Sequence, residues 1–357
     1  MGLQTPAELG YRMPAEWQRH SATWLAWPKD PLTWPDRVLQ VEDIFIQMMA
    51  ALAPNEKVNL LVDDEATEQV VRLRCAFAGA RKIRFHRVQT VDSWIRDYGP
   101  NFLTNDKGGL VYNDWLFNAW GNKYEELAKD SAIPARLAGV LNVPYFEPGV
   151  VMEGGSIEVN GAGVVMTTEQ CLLNPNRNPH LDRLGIEQYL KGYLGVEKVL
   201  WLGEGIVGDD TDGHIDDIAR FVSPTTIVCA LEEDPADANY KLLQDNFERL
   251  QHVTDVQGRS FELVTLPMPG PVGGTSAGGT RGLERLPASY ANFYIANNVV
   301  LVPIFGCAND RRALETTQRL FSDRRVVGIN CEPLVWGLGT IHCVTQQQPE
   351  PDPQIRD

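Results

Sequence analysis

The chain repeats one pattern about every 60 residues: a helical stretch, a short apolar run, a loop and a hairpin-like pair of strands. Helical periodicity covers Arg37–Leu52, Ala66–Ala80, Tyr124–Leu141, His180–Leu194, Ala236–His252 and Arg311–Phe321. Apolar, strand-like runs follow at Val58–Val62, Ile83–Val88, Val143–Phe146, Val199–Leu202, Phe261–Leu266 and Val326–Ile329. Such a period predicts a repeat architecture arranged around a central axis.

Hairpin-like pairs distinguish this arrangement from the main alternative, an open doubly wound sheet. The pairs are Ser156–Val159 with Gly163–Thr167, Ala219–Val222 with Thr226–Ala230, and Asn292–Ala296 with Val299–Ile304. Because two-residue turns join antiparallel strands, these pairs argue against an all-parallel sheet. We predict an α/β chain forming a single domain over residues 1–357. The polar, Pro-rich tail from about residue 348 is expected to be flexible.

Composition limits the class of partner. The 47 acidic residues outnumber the 32 basic ones, which gives a formal net charge of -15. Such a surface repels phosphate backbones, so we expect no nucleic-acid partner, whereas small cations are compatible with it. Residues 1–12 contain no apolar segment typical of a secretory signal, and no apolar run approaches the ~20 residues of a membrane helix.

The six cysteines are scattered, without a CxxC pair, which argues against zinc fingers and a disulfide framework. We therefore expect a cytoplasmic protein with no membrane partner, and a homo-oligomer is compatible with the sequence.

Chemically reactive residues lie in the loops that follow the strand-like runs. Asp97, Glu153, the pair His214 and Asp216, and Cys343 each follow a different run. If the repeats pack in a ring, equivalent loops meet at one end of the axis. The sequence therefore predicts that these five side chains surround one cavity.

This set suits attack on a guanidinium carbon. Asp97 and Asp216 could hold the planar cation by charge-assisted hydrogen bonds. Cys343 could attack as a thiolate, which the bound cation would favour. His214 could protonate the leaving amine and then activate water. Glu153 could orient His214 or bind a guanidinium nitrogen. The intermediate would be a covalent S-alkylthiouronium, and no metal or organic cofactor is needed.

Each residue taken alone also has an ordinary structural explanation. Cys343 could be a small buried hydrophobe, His214 a surface histidine in an acidic loop, and Asp97 half of an ion pair. Glu153 could be a turn residue. Their arrival at equivalent points of a repeat favours the functional interpretation. Most of the nine tryptophans are expected in the core or at interfaces, but Trp94, beside Asp97, could stack on the substrate.

Several longer motifs resemble those of one family. They are Gly10–Trp17, Thr23–Pro28, Trp94–Pro100, Glu153–Ser156, Leu172–Pro179, Thr211–His214, Ala288–Tyr294 and Ile341–Pro349. Together they resemble the agmatine deiminase family, which includes bacterial peptidyl-arginine deiminases, within the pentein or guanidino-group-modifying superfamily.

The resemblance implies a five-bladed α/β propeller with pseudo-fivefold ββαβ units and Cys343 as nucleophile. It implies the roles given above for His214, Glu153, Asp97 and Asp216. It also implies hydrolysis of agmatine to N-carbamoylputrescine and ammonia, on a route to putrescine.

Two departures from the family pattern lie near the expected site. Agmatine-specific members usually have three glycines and an asparagine before Ile-His-Cys, where this chain has Gly337-Leu338-Gly339-Thr340. They usually have asparagine at the position of Asp217. Both changes bear on substrate identity more than on reaction type.

Three alternatives stay open at this level. Peptidyl-arginine, free arginine or transfer of the amidino group could replace agmatine hydrolysis. Gly274-Thr275-Ser276-Ala277-Gly278 fits the GxSxG pattern of serine hydrolases, although no helical pattern follows it. A non-catalytic binding protein could also be built on the same propeller.

Overall fold

The computed structural model describes residues 4–273 and 285–351, which form five small mixed sheets. The strands are β1 His20–Ala26, β2 Lys57–Val62, β3 Ile83–Arg87, β4 Asn101–Thr104, β5 Leu110–Asn113, β6 Tyr145–Phe146, β7 Glu158–Val159, β8 Val164–Thr168, β9 Lys198–Leu202, β10 Ala219–Ser223, β11 Thr226–Leu231, β12 Glu262–Pro267, β13 Tyr294–Ala296, β14 Val299–Ile304, β15 Arg325–Asn330 and β16 Gln346–Pro349. The longer helices are α1 Val38–Leu52, α2 Glu65–Phe77, α3 Ile133–Leu141, α4 Arg183–Leu194, α5 Tyr240–His252 and α6 Asp310–Leu320. Short helical segments lie at Ala7–Leu9, Ile95–Tyr98, Ala119–Asn122, Leu127–Ala132, Gly154–Ser156, Glu169–Leu172, Ile215–Asp217 and Glu332–Val335.

Four of the sheets share one topology. The orders β4-β5-β6, β7-β8-β9, β10-β11-β12 and β13-β14-β15 each begin with an antiparallel pair and end with a parallel one. A tight turn cannot join parallel strands, so α3, α4, α5 and α6 provide the crossovers. The ββαβ repeat is therefore a property of the fold as well as of the sequence.

The remaining sheet, β16-β1-β2-β3, contains both ends of the described chain. Strand β16 pairs antiparallel with β1, and β1, β2 and β3 are parallel neighbours joined through α1 and α2. The last strand thus supplies the antiparallel partner that a hairpin supplies in the other four sheets. Because the first and last strands share a sheet, the loop before β16 is held against the N-terminal segment.

The sequence located most elements, and the largest error in a helix boundary lies at α3. The stretch Tyr124–Leu141 was expected to be a single helix, but Leu127–Ala132 is a 3-10 segment and α3 begins only at Ile133. Pro134 lies in the first turn of α3, where its ring is tolerated, and it disfavours a continuous α-helix through the preceding residues. Strands β1, β4, β5 and β16 were not predicted.

The predicted tail boundary at residue 348 is wrong. Gln348 pairs with Ala22 in the β16–β1 ladder, and Trp24 Nε1 donates to Gln348 Oε1 at 2.9 Å. These polar residues form a strand because the backbone of β1 offers an unpaired edge. Residues 352–357 lie outside the described part of the chain.

An apolar core surrounds the segment that carries Cys343. Ile341 and Val344 are fully buried in the largest hydrophobic cluster, and Trp34 Nε1 donates to the Leu334 carbonyl at 2.8 Å. This packing fixes the backbone on both sides of Cys343. None of the helices in the described part of the chain is long and apolar enough to cross a membrane.

We expect a chain that ends after Thr345 to lose much of its stability, because β1 would lose its antiparallel partner. Removal also deletes the Trp24–Gln348 bond and the bond from Gln346 Nε2 to the Pro100 carbonyl. Thermal denaturation should show a fall in Tm of roughly 10 °C or more, or no cooperative transition. A chain ending after Pro351 is the matched control and should keep the full-length Tm. Equal Tm values for the two truncations would contradict the structural role of β16.

Candidate active site

The five reactive residues predicted from sequence lie in connections between consecutive sheets. Asp97 lies between β3 and β4, and Glu153 between β6 and β7. His214 and Asp216 lie between β9 and β10, and Cys343 between β15 and β16. All five are buried. The structure therefore places them at equivalent points of the repeat.

Gly155 shows how closely three of these side chains approach. A Cβ atom on Gly155 would lie 2.6 Å from His214 Nδ1 and 2.9 Å from Asp97 Oδ1. It would also lie 3.1 Å from Asp216 Oδ2. The Gly155 backbone N–H donates to Asp97 Oδ1 at 2.9 Å. Only glycine leaves room for the imidazole and both carboxylates at this point.

Asp97 is a buried carboxylate held by a tryptophan. Trp120 Nε1 donates to Asp97 Oδ2 at 2.9 Å, and His214 Nδ1 lies 3.8 Å from Asp97 Oδ1. Burial raises the pKa of Asp97 to about 6, helped by the charges of Asp216 and Glu153 and opposed by His214. The carboxylate is therefore mostly ionised at neutral pH, but a small fall in pH would protonate much of it.

The Cys343 sulfur faces an amide and acidic side chains. Asn292 Nδ2 lies 3.2 Å from Cys343 Sγ, and Asp216 Oδ2 lies 3.9 Å from it. Burial raises the pKa of the Cys343 thiol well above its usual value, and the charges of Asp216, Asp217 and Asp97 act in the same direction. In the absence of a cation, the thiol form is favoured.

His214 and Glu153 retain unused hydrogen-bonding capacity. Arg177 Nε donates to Glu153 Oε1 at 2.7 Å, but among the described residues Glu153 Oε2 and both His214 ring nitrogens have no hydrogen-bond partner. Although burial disfavours the imidazolium, Asp97 and the Cys171 thiol raise the pKa of His214 well above its usual value. These buried atoms are therefore available to a substrate or to water.

Glu153, Cys171 and His214 each place a ligand-type atom within 4.8 Å of the other two. Carboxylate, thiolate and imidazole are all zinc ligands. However, Arg177 pairs with Glu153, and the raised pKa of His214 favours its protonated form, which cannot bind a metal. The group suits proton transfer better than metal binding.

A buried ion network lies behind the site. His342 Nδ1 contacts Asp216 Oδ2 at 2.7 Å, and His342 Nε2 contacts Glu16 Oε2 at 2.8 Å. An imidazole that meets two carboxylates can donate to both only as the imidazolium. Glu16 also pairs with Arg220 at 3.0 Å and Arg96 at 3.5 Å. Although burial acts in the opposite direction, Arg220 and His342 hold the pKa of Glu16 well below its usual range.

A cavity of about 350 Å³ leads from the surface to Asp97 and Cys343. This volume lies within the range of small-ligand sites, about 300–1,000 Å³. The described residues that line it are Asp30, Leu32, Thr33, Trp94, Asp97, Trp120, Tyr124, Glu125, Glu126, Leu127, Asp210, Thr211, Trp336, Gly337, Leu338, Gly339 and Cys343. Several are acidic, and none of those in the described part of the chain is Arg or Lys. The cavity wall therefore suits a cation.

The two departures noted in the sequence both lie at the site. Leu338 lines the cavity with φ at 71°, a left-handed conformation that costs a non-glycine residue about 1–3 kcal/mol. A Cβ on the neighbouring Gly339 would lie 2.7 Å from Trp94 Cζ3 and 3.2 Å from Cys343 Sγ. Burial and the charge of Asp216 raise the pKa of Asp217 well above its usual value.

Some contacts at the site were not predicted. No role was predicted for four residues that lie within the motifs carrying the family resemblance, namely Glu16, Arg177, Asn292 and His342. Membership of those motifs was the one signal that could have identified them. Ser276, the candidate serine nucleophile, lies outside the described residues.

Comparison with known proteins gives a consistent result over the whole chain. Residues 12–349 match the family model of the Porphyromonas-type peptidyl-arginine deiminases. A Legionella pneumophila protein described as a candidate agmatine deiminase is 40% identical over 356 residues, covering 98% of each chain.

Solved structures extend this comparison. An agmatine deiminase of Enterococcus faecalis is 36% identical, with a TM-score of 0.90 and 99% of each chain covered. A Campylobacter jejuni agmatine deiminase variant with bound substrate is 30% identical, with a TM-score of 0.84 and 95% and 96% of the two chains covered. An amidinotransferase of saxitoxin biosynthesis from Microseira wollei shares the fold alone, at 10% identity and a TM-score of 0.51. The chain therefore belongs to the Porphyromonas-type peptidyl-arginine deiminase family.

Proposed function

We propose that this protein is an agmatine deiminase, a hydrolase that converts agmatine to N-carbamoylputrescine and ammonia. The observation that carries the proposal is the cavity in which the Cys343 sulfur and the Asp97 carboxylate share one wall, with Asp216 Oδ2 3.9 Å from the sulfur. A nucleophile beside buried acids suits a cationic electrophile. Relatives described as agmatine deiminases support the choice of substrate.

The proposal includes a five-bladed propeller for the fold. The five sheets share the order of an antiparallel pair followed by a parallel strand, and the site residues lie in the links between them. A common axis would explain why loops from distant parts of the chain reach one cavity. The whole chain acting as one domain is part of the same proposal.

Substrate binding would depend on the two carboxylates. Asp97 and Asp216 would accept hydrogen bonds from the edges of the planar guanidinium. Trp94 lines the cavity and donates its Nε1–H to Asp92 Oδ2 at 3.0 Å, which fixes the indole plane. A fixed indole could cover the face of the cation or the alkyl chain.

The bound cation would activate the nucleophile. A positive charge about 4 Å from the sulfur is worth about 4 kcal/mol at an effective dielectric constant of 20. This attraction favours the Cys343 thiolate and releases the thiol proton to solvent when the substrate enters. The enzyme would therefore keep its cysteine in the unreactive thiol form until a guanidinium arrives.

The reaction would then proceed in two halves. The Cys343 thiolate forms a C–S bond to the guanidinium carbon, the His214 imidazolium protonates one amino group, and ammonia leaves. Neutral His214 then takes a proton from water as its oxygen attacks the thiouronium carbon. The C–S bond breaks, the ureido product leaves and the hydroxyl proton returns to sulfur.

Glu153 would support both halves of the reaction. Arg177 occupies Glu153 Oε1, which leaves Oε2 free to accept a hydrogen bond from a guanidinium nitrogen or from His214. Arg177 would thus keep the carboxylate oriented. A cytoplasmic location, a place on a route to putrescine and a homo-oligomeric state remain predictions from the sequence.

The acidic cavity predicts selectivity against free arginine. Arginine carries an α-carboxylate, which would meet acids such as Asp30, Glu125 and Asp210 and no Arg or Lys among the described residues of the wall. Like-charge contacts cost several kcal/mol, so kcat/KM for agmatine should exceed that for arginine by at least about 100-fold. Parallel assays with agmatine, arginine and blocked arginine test this. Activity confined to blocked arginine would exclude agmatine as the substrate.

Trapping the intermediate tests the nucleophile. Acid quenching during turnover with agmatine should leave a thiouronium adduct on the peptide that contains Cys343, detected by mass spectrometry. Replacing Cys343 by alanine should abolish the adduct and lower kcat by at least about 10⁴-fold. Cys229→Ala, in β11 and outside the cavity wall, is the control. It should keep both the thiouronium adduct on Cys343 and the kcat of the unmodified protein. Turnover by the Cys343→Ala variant would favour another nucleophile.

Agmatine binding should weaken at acid pH. The pKa of Asp97, raised to about 6, means that its carboxylate is ionised above this value and neutral below it. Because the guanidinium needs the ionised form, affinity should fall as the pH drops through about 6, approaching tenfold per pH unit. Calorimetry with the inactive Cys343→Ala variant between pH 5 and 8 measures this. Adding Asp97→Asn should weaken binding at every pH and remove the inflection, whereas an unchanged inflection would assign it to another group.

A further inference from the structure

Asn292 places a side-chain amide against the nucleophilic sulfur. The residue is fully buried and precedes β13. Its Nδ2 lies 3.2 Å from Cys343 Sγ and its Oδ1 lies 3.5 Å from the same atom. A third polar side-chain atom near the sulfur is Asp216 Oδ2, at 3.9 Å. Of these three atoms, only Nδ2 carries hydrogens that can be donated to sulfur.

The orientation of this amide is determined by its neighbours. The backbone N–H of His342 lies 2.9 Å from Asn292 Oδ1, and the Thr340 hydroxyl oxygen lies 2.7 Å from it. A backbone N–H can only donate, so the atom facing it must be the amide oxygen. Turning the amide over would place two donors against each other and leave the buried His342 N–H with the Asn292 backbone carbonyl, at 3.2 Å, as its remaining acceptor. The NH₂ group must therefore face Cys343.

The charged groups around the sulfur act against its ionised form. Asp97, Asp216 and Asp217 are the acids whose charges raise the pKa of Cys343, and burial is the largest cause of the increase. The backbone N–H of Thr340 donates to the sulfur and lowers this pKa. The Asn292 amide and the Thr340 backbone are thus two neutral donors in an otherwise acidic environment.

We propose that Asn292 is a further catalytic residue, whose Nδ2–H stabilises the Cys343 thiolate before attack and again as sulfur leaves the adduct. Thr340 is a positioning residue, because its hydroxyl donates to Asn292 Oδ1 and thereby keeps Nδ2 as the amide atom nearer the sulfur. The role of Cys343 as nucleophile rests on the proposed function. The hydrogen bond to its sulfur does not, and it can be measured without turnover.

The test compares thiolate formation in matched variants without substrate. Asn292→Asp keeps an oxygen for the His342 N–H and the Thr340 hydroxyl but replaces the donor to sulfur with an acceptor. Alkylation of Cys343 by iodoacetamide, followed from pH 7 to 11 by peptide mass spectrometry, reports the thiolate fraction. Burial and the nearby acids already raise the pKa of Cys343, so the variants are compared below the midpoint of the profile. There the alkylation rate for Asn292→Asp should be roughly 10- to 100-fold lower at each pH, which corresponds to a rise of about 1 to 2 pH units in the midpoint.

A second pair of variants tests the positioning role. Thr340→Val removes the hydroxyl at nearly constant volume and should shift the alkylation profile in the same direction by a smaller amount. Thr340→Ser retains the hydroxyl and should restore the profile of the unmodified protein. In an Asn292→Asp background, Thr340→Val should shift the midpoint by less than it does alone, because it acts through the amide.

Several outcomes would overturn the proposal. A folded Asn292→Asp variant, with unchanged Tm, whose alkylation profile superimposes on that of the unmodified protein would exclude the hydrogen bond as a determinant of reactivity. If that variant does not fold, identical profiles for Thr340→Val and Thr340→Ser would do the same. Failure of the unmodified protein to hydrolyse agmatine would contradict the proposed function but leave these alkylation results to be judged separately.

Discussion

The buried carboxylate of Glu16 is the constraint on which the site depends. It meets Arg220 at 3.0 Å and His342 at 2.8 Å, and the other nitrogen of His342 meets Asp216 at 2.7 Å. Removing such charges from water costs several kcal/mol each, which only close and well-aligned pairs offset. The network therefore fixes the N-terminal segment, the Asp216 loop and the Cys343 loop in one arrangement.

The same network determines how the site is charged. His342 faces Asp216 from behind and keeps it ionised, because its hydrogen bond and charge lower the pKa of Asp216 against the effect of burial. Within residues 4–273 and 285–351, His214 is the cation that pairs with Asp97, at 3.8 Å, and the pKa of Asp97 rises to about 6. The ionised form of Asp216 is thus stabilised by His342, whereas the ionised form of Asp97 would depend more on a cation in the cavity. In the proposed reaction, the entering cation would favour the ionised forms of both Asp97 and Cys343.

The local sequence pattern predicted the fold to the extent that local forces decide it. Helices α1, α2, α4, α5 and α6 were located because periodicity and helix-forming composition act over a few turns. Strand β16 was missed because its Gln-rich sequence carries no strand signal, and it becomes a strand only when β1 offers its edge. The break before α3 was missed because the helical pattern extends over Tyr124–Leu141, although Pro134 in the first turn of α3 disfavours helix before it.

The sequence by itself determined which reactive side chains the protein has and that they recur at equivalent points of a repeat. It thereby predicted that Asp97, His214 and Cys343 would meet, and the structure places Asp97 and Cys343 on one cavity, with His214 Nδ1 3.8 Å from Asp97 Oδ1. Only the tertiary structure determined which other side chains fix their positions. Glu16 and His342 are 326 residues apart, and Asn292 and Cys343 are 51 apart. Periodicity and spacing describe neighbours within a few turns, so contacts at such separations arise only when the sheets pack together.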